Sequence, residues 1–294
     1  MWYVGATCAD LVGYWLYDVE GGWRWMLGSA AIPCLLILIG RFELPESPRW
    51  LLRKGRVKEC EEMMIKLFGE PVAFEEEQPQ QTRFRDLFNR RHFPFVLFVA
   101  AIWTCQVIPM FAIYTFGPQI VGLLGLGVGK NAALGNVVIS LFFMLGCIPP
   151  MLWLNTAGRR PLLIGSFAMM TLALAVLGLI PDMGIWLVVM AFAVYAFFSG
   201  GPGNLQWLYP NELFPTDIRA SAVGVIMSLS RIGTIVSTWA LPIFINNYGI
   251  SNTMLMGAGI SLFGLLISVA FAPETRGMSL AQTSNMTIRG QRTG

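Results

Sequence analysis

Charged residues are scarce in this 294-residue chain: Asp, Glu, Lys and Arg make up 13% of it, whereas soluble domains contain roughly 25%. Hydrophobic residues make up 55%. Apolar runs of about 18 to 25 residues recur, and each is long enough for a helix to cross a bilayer. These runs lack the alternation of a membrane β-barrel strand. The composition therefore argues against a soluble domain and predicts an all-α membrane protein.

Patterns of metal ligands and catalytic groups are also missing. The five cysteines are far apart and four lie in apolar segments, so they indicate neither a disulfide framework nor a metal site. The single histidine, His92, lies among arginines before an apolar run, which favours a contact at the membrane surface over a proton relay. No nucleotide-binding loop or nucleophile–base pair is present. The sequence predicts no enzyme, no cofactor and no nucleic-acid partner.

Eight apolar segments are predicted to be membrane-spanning helices. They lie near residues 1–17, 23–41, 94–117, 132–154, 161–180, 185–209, 220–245 and 252–272. Only the connection at 42–92 is long, and its charges recur at helical spacing. This pattern predicts short amphipathic helices at the membrane face.

The orientation follows from the distribution of Lys and Arg between alternate loops. Of the 20 such residues, 17 lie on the side of the long connection, whereas Arg24 and Lys130 lie on the other side and Arg231 lies inside a span. This bias predicts that the long loop and the C-terminus are cytoplasmic.

Five short motifs lie at the ends of these spans. They are Gly22-Trp23-Arg24-Trp25, Pro45-Glu46-Ser47-Pro48-Arg49-Trp50, Gly158-Arg159-Arg160-Pro161, Glu212-Leu213-Phe214-Pro215 with Arg219, and Pro273-Glu274-Thr275-Arg276-Gly277. Together they resemble the sugar-porter branch of the major facilitator superfamily, and the match is close to bacterial inner-membrane metabolite transporters of that branch. The resemblance runs from Gly5 to Leu280. It implies a major-facilitator-type helix bundle, truncated to about eight transmembrane helices that correspond to the family's fifth to twelfth spans.

The resemblance also implies a domain organisation and a function. Residues 1–41 would be the last two spans of the N-terminal half, 42–92 a cytoplasmic linker, 93–273 the six-span C-terminal half, and 274–294 a cytoplasmic tail. The chain would be the C-terminal part of a monomeric bacterial inner-membrane proton symporter. This transporter would carry a small polar or anionic organic metabolite or a sugar by alternating access. A transporter-like metabolite sensor and a non-functional truncated product are the alternatives.

Acidic and basic residues recur at the predicted cytoplasmic mouth. They are Glu46, Arg49, Arg159, Arg160, Glu212, Arg219, Glu274 and Arg276. Charge-assisted bonds, for example from Arg49 to Glu46, from Arg219 to Glu212 and from Arg276 to Glu274, would latch this mouth shut. The alternative is that these residues are membrane anchors and exposed pairs of little energetic value.

Polar side chains within the spans are candidate substrate ligands. They are Gln106 and Tyr114 in the third span, and Asn204, Gln206 and Trp207 in the sixth. The latter three follow Gly200-Gly201-Pro202-Gly203, which predicts a local bend or unwinding. By the resemblance, Gln106 and Trp207 match the family's site residues, and an interfacial role is the alternative for Trp207. Cys105 replaces the first glutamine of the family's pair, so a common hexose is not the expected substrate.

Two ionisable residues, Asp10 and Arg231, lie within predicted spans, where a charge costs at least about 2.5 kcal/mol. Asp10 is a candidate proton-coupling carboxylate, and a polar contact between helices is the alternative. Arg231 is a candidate partner for a substrate carboxylate, and a structural pair within the bundle is the alternative.

Overall fold

All regular secondary structure in the described part of the chain is helical. The computed structural model describes residues 2–42, 46, 51, 55–68, 87–123, 129–180 and 184–278. The helices are α1 (Trp2–Trp15), α2 (Gly22–Ser29), α3 (Ala31–Arg41), α4 (Val57–Phe68), α5 (Phe93–Leu123), α6 (Lys130–Gly146), α7 (Ile148–Ala157), α8 (Arg159–Leu179), α9 (Ile185–Leu213) and α10 (Thr216–Phe271). Internal hydrogen bonding of this kind is what an apolar chain requires in lipid, because the bilayer cannot solvate peptide groups.

The eight predicted spans correspond to helices in the structure. By length and apolar composition, six helical stretches among the described residues can cross a membrane. One of these, Ile218–Phe271, contains two predicted spans, because Gly249 (φ 79°, ψ 171°) interrupts α10. The first predicted span corresponds to α1, whose 14 residues are fewer than the roughly 20 of a full crossing. The prediction of an all-helical membrane protein is therefore confirmed.

The contacts divide the chain into two compact units, one of residues 19–80 and one of residues 1–18 with 81–294. In the smaller unit, α2 and α3 continue through Ala30, which has helical backbone angles, and so form one span. Helix α4 lies in the long connection, for which the sequence predicts amphipathic helices. Its residues Cys60 and Met64 are buried together with Leu51. Residues 43–45, 47–50, 52–54 and 69–86 of that connection, and residues 279–294, lie outside the described ranges. The predicted domain boundaries stay a prediction.

The larger unit is a helix bundle with an aromatic core. Helix α10 packs against α5 and α8, α9 packs against α5, α6 and α8, and α1 packs against α6. The largest fully buried side chains include Trp103, Phe143, Phe167, Phe192, Tyr195 and Tyr209. A bundle in lipid gains its stability from close packing and from bonds between helices, since the surrounding lipid is as apolar as the side chains.

Glycines bring α9 into backbone contact with α6 and into close contact with a side chain of α8. A Cβ added to Gly146 would lie 2.0 Å from the carbonyl oxygen of Phe197, and one added to Gly200 would lie 2.2 Å from that of Gly146. A Cβ on Gly201 would lie 2.1 Å from Ser166 Oγ. The local unwinding predicted at residues 200–203 is not present, because α9 continues as a helix through Pro202. The glycines serve close packing with α6 and α8, and that packing supports the helix where proline removes an N–H donor.

We predict that Gly146→Ala destabilises the protein by about 1 to 3 kcal/mol, because the new methyl group would meet backbone atoms that cannot move aside cheaply. The measurement is thermal unfolding of the purified protein in detergent. Gly224→Ala is the matched control: Gly224 also lies in a helix, but a Cβ there has nothing within 4 Å. Equal losses of stability in the two variants would contradict the packing role of Gly146.

Candidate functional site

The start of α8 is capped by the carboxylate of Glu274. Its Oε1 accepts a hydrogen bond from the backbone N–H of Arg159 (3.0 Å), and its Oε2 accepts one from that of Arg160 (3.1 Å). The residue before the helix, Gly158, has φ 91°, and a Cβ there would lie 2.6 Å from Glu274 Oε2. Only glycine combines this backbone conformation with so close an approach. The carboxylate thus satisfies N–H groups that a helix start leaves open, and it lies at the positive end of the helix dipole.

A salt bridge joins α8 to α9 beside this cap. Arg159 donates from Nη2 to Glu212 Oε1 (2.7 Å) and from Nη1 to the carbonyl of Leu154 (3.2 Å). The hydroxyl of Thr275 donates to the second carboxylate oxygen of Glu212. The two charged side chains are only 11% and 15% exposed. Water therefore screens this pair less than it screens a surface pair.

The other predicted gate residues make bonds that the sequence did not specify. Arg160 donates to the carbonyl of Val269 (2.9 Å), and Arg219 donates to that of Phe214 (3.3 and 3.2 Å). Arg276 reaches Glu274 through its backbone N–H (3.0 Å), and its side chain is exposed.

Glu46 and Arg49 are the remaining members of the predicted gate. Glu46 is exposed in the smaller unit, and Arg49 lies outside the described residues. We use the term charged cluster for Arg159, Arg160, Glu212, Glu274 and Thr275.

Gln106 is the centre of a polar network buried between three helices. Its side chain is 0% exposed, and its Nε2 donates to Ser199 Oγ (3.1 Å) on α9 and to the hydroxyl of Tyr3 (3.4 Å) on α1. Among the described residues, Gln106 Oε1 has no hydrogen-bond partner. Sequence reasoning missed Tyr3 and Ser199, although both are polar groups inside apolar segments, which is the signal that selected Gln106.

Aromatic rings line the region next to this network. Phe143 on α6 lies between Tyr3 (ring centroids 5.8 Å apart) and Tyr114 (5.0 Å), and it also contacts Tyr195 (5.9 Å). The predicted ligand Tyr114 is therefore part of an aromatic group that joins α1, α5, α6 and α9.

The predicted ligands on α9 have different surroundings. Asn204 donates to the carbonyl of Cys147 (3.0 Å) and so joins α9 to the turn between α6 and α7. Gln206 is buried, and its Oε1 lacks a hydrogen-bond partner within the described ranges. Trp207 is 48% exposed and packs edge-on against Trp103, with ring centroids 4.8 Å apart. The partly exposed indole of Trp207 is suited to the apolar face of a polar ligand.

Asp10 forms a polar contact between α1 and α6. Its carboxylate accepts hydrogen bonds from Asn136 Nδ2 (3.1 Å) and from Ser140 Oγ. Thr7 reinforces the same contact by donating to the carbonyl of Ser140 (3.1 Å). The donors to Asp10 are neutral, and neither was identified from the sequence.

Arg231 lies apart from these groups. The residue is exposed, and its guanidinium Cζ lies 5.2 Å from the ring centroid of Phe111, a cation–π contact.

Comparisons with known proteins agree on one family and one fold. Residues 1–287 match the family described as "Sugar (and other) transporter". The whole chain is 99% identical to 66% of YaaU, a protein of Escherichia coli (strain K12) that is named for metabolite transport. It is also 33% identical, over 97% of its length, to 64% of the inner membrane metabolite transport protein YgcS of the same organism. The chain thus spans about two thirds of these curated relatives.

A solved structure supports the fold. The proton:xylose symporter XylE bound to 6-bromo-6-deoxy-D-glucose superimposes with a TM-score of 0.76 over 95% of this chain and 63% of that one, at 22% sequence identity. This likeness confirms the predicted major-facilitator-type bundle. The matched family is one of transporters, which agrees with the prediction that the chain is not an enzyme.

We predict that Glu274→Ala destabilises the protein by about 1 to 2 kcal/mol, because the backbone N–H groups of Arg159, Arg160 and Arg276 lose their acceptor. Thermal unfolding in detergent measures the effect. Arg276→Ala is the control, since it keeps the backbone N–H and removes only an exposed side chain. If Arg276→Ala lowered stability as much as Glu274→Ala, the cap would not be the reason.

Proposed function

Because the chain belongs to the sugar (and other) transporter family, in the sugar-porter branch of the major facilitator superfamily, we propose that the whole protein is a proton-coupled secondary transporter. It carries a small polar or anionic organic metabolite or a sugar by alternating access. The observation that carries this proposal is the buried network at Gln106, where three helices bring polar groups together inside an apolar bundle. Polar groups at such depth are costly, and their usual use is to bind what the protein carries.

The amides of Gln106 and Gln206 are the proposed substrate ligands. Each has a buried carbonyl oxygen without a hydrogen-bond partner among the described residues. A substrate hydroxyl could donate a hydrogen bond to such an oxygen. This bond would be favourable, because the buried oxygen has no hydrogen bond to water to give up. Trp207 would cover an apolar face of the substrate, and Tyr114 and Asn204 would complete the site from α5 and α9.

The charged cluster is the proposed gate at the cytoplasmic mouth. It joins α8, α9 and the residues after α10 through the Arg159–Glu212 salt bridge and the Glu274 cap. Opening toward the cytoplasm would separate these elements and expose both charges to water. Water would then solvate the separated charges, and an ion pair exposed to water contributes little to stability. The salt bridge can therefore break when the mouth opens and form again when the mouth closes.

The test of transport uses the full-length protein in proteoliposomes with labelled sugars, sugar acids and aromatic acids. We expect uptake of at least one compound, and we expect Gln106→Ala to lower its apparent affinity by about tenfold, since one or two hydrogen bonds are lost. Thr171→Val is the matched control, because among the described residues the Thr171 hydroxyl bonds only the Phe167 carbonyl of its own helix (2.8 Å). Ligand binding without uptake would contradict transport and favour a metabolite sensor.

Asp10 is the proposed proton-binding carboxylate. It is held between α1 and α6 by neutral donors, so gain or loss of a proton changes the bonds that join these helices. A carboxyl group in this position links proton binding to helix movement, which is the requirement for symport.

We predict that Asp10→Asn abolishes accumulation of substrate against its gradient but keeps exchange of labelled for unlabelled substrate. The amide oxygen can still accept from Asn136 Nδ2 and the amide nitrogen can donate to Ser140 Oγ, but the amide cannot take up a proton. Uptake driven by an imposed pH gradient and counterflow at equal pH measure the two activities. Ser140→Ala is the companion variant, which weakens the same contact without removing the carboxylate. Concentrative uptake that persists in Asp10→Asn would place the proton elsewhere.

A further inference from the structure

The phenol of Tyr3 brings α1 into the polar network at Gln106. Among the described helices, α1 packs only against α6. The Tyr3 hydroxyl nevertheless reaches α5, where it accepts a hydrogen bond from Gln106 Nε2 (3.4 Å) and donates one to Met110 Sδ (3.7 Å). The ring lies parallel to that of Phe143 on α6, with an interplanar angle of 9° and ring centroids 5.8 Å apart. A six-membered ring with a hydroxyl therefore lies against the amide that we propose as a substrate ligand.

Gly203 on α9 makes room for the Tyr3 hydroxyl. A Cβ added to Gly203 would lie 2.5 Å from the hydroxyl oxygen but 3.4 Å from Cζ, the nearest ring carbon. A methyl group at this position would therefore push the hydroxyl away, whereas it would be in ordinary contact with the ring. The α9 side of the network is thus shaped for a hydroxyl group.

Two hydrogen bonds of the Tyr3 hydroxyl are weak. The bond from Gln106 is longer than the usual N–H···O distance of about 2.9 Å. The bond to Met110 ends on a thioether sulfur, which is a weak acceptor. Tyr3 is also only partly buried, so its ring can leave with less repacking than a fully enclosed ring such as Phe143. A substrate hydroxyl that bonds the amide at the usual distance can therefore replace the phenol.

Resting on the proposed transport function, we propose that Tyr3 competes with the substrate for the Gln106 amide, and that a substrate with a hydroxyl on a ring binds by displacing the phenol. Tyr3 is then a specificity-determining residue, because a compound without such a hydroxyl cannot replace the bond that it breaks. Displacement also separates α1 from α5, so substrate binding acts directly on the contact between these helices.

The experiment removes the hydroxyl and keeps the ring. Full-length protein in proteoliposomes is assayed with a labelled sugar, sugar acid or aromatic acid that wild type takes up. We expect Tyr3→Phe to lower the KM for this compound by about two- to fivefold, because the substrate no longer competes with a weak hydrogen bond. The kcat should stay the same or fall, since tighter binding does not speed release. Equilibrium binding of the same compound to the protein in detergent should tighten similarly.

Gly203→Ala tests the same competition without changing Tyr3, and it serves if Tyr3→Phe does not fold. Its methyl group displaces the Tyr3 hydroxyl, so this variant should also bind the compound more tightly. In the Tyr3→Phe background the methyl group meets no hydroxyl, so the two effects should be non-additive. Tyr14→Phe is the matched control and should leave the KM unchanged. Tyr14 lies near the other end of α1, with its ring centroid 5.4 Å from Lys130 Nζ.

Three results would overturn the inference and leave the transport function standing. A higher KM in Tyr3→Phe would make Tyr3 a ligand of the substrate instead of its competitor. An unchanged KM with a lower unfolding temperature would make it a packing residue. Fully additive effects of Tyr3→Phe and Gly203→Ala would show that the methyl group does not act through the hydroxyl. Uptake of no compound in the panel by wild type would contradict the transport function itself, and this inference with it.

Discussion

The backbone N–H and C=O groups of a membrane bundle must find partners within the protein, because lipid offers none. At the start of α8 this constraint is met by one carboxylate. Glu274 accepts from the backbone N–H groups of Arg159 and Arg160, and Gly158 makes room for it. The neighbouring carboxylate, Glu212, accepts a hydrogen bond from the guanidinium of Arg159. Together these bonds connect helices whose apolar surfaces alone would give little preference for one arrangement.

Close packing and polar recognition occur on the same helix. Helix α9 presents Gly200 to the backbone of α6 and Gly201 to the side chain of Ser166 on α8, while Ser199 accepts a hydrogen bond from Gln106 on α5. A helix held this tightly can keep the amide of Gln206 buried with a carbonyl oxygen that has no partner in the described structure. Rigid placement of such a group lets a ligand supply the missing bond, since a loose side chain would find another partner.

The two charges within the spans show how surroundings decide a role. Asp10 is enclosed by neutral donors at the contact of α1 with α6, so protonation acts directly on that contact. Arg231 has an aromatic ring against its face and is exposed. The first arrangement suits a proton that moves between helices. The second leaves the guanidinium against the ring of Phe111.

The sequence alone determined the helical fold, the positions of the spans and the family, because apolar length and end motifs are local properties of the chain. It also identified Gln106, Glu212 and Glu274 as polar groups that need partners. Which partners they have was decided by the tertiary structure, since Tyr3, Ser199 and Arg159 come from other helices. The glycine run at residues 200–203 shows the same limit. Its composition favours a bend or unwinding, but α9 remains helical there and packs closely against α6 and α8, and packing between distant segments cannot be read from the segment itself.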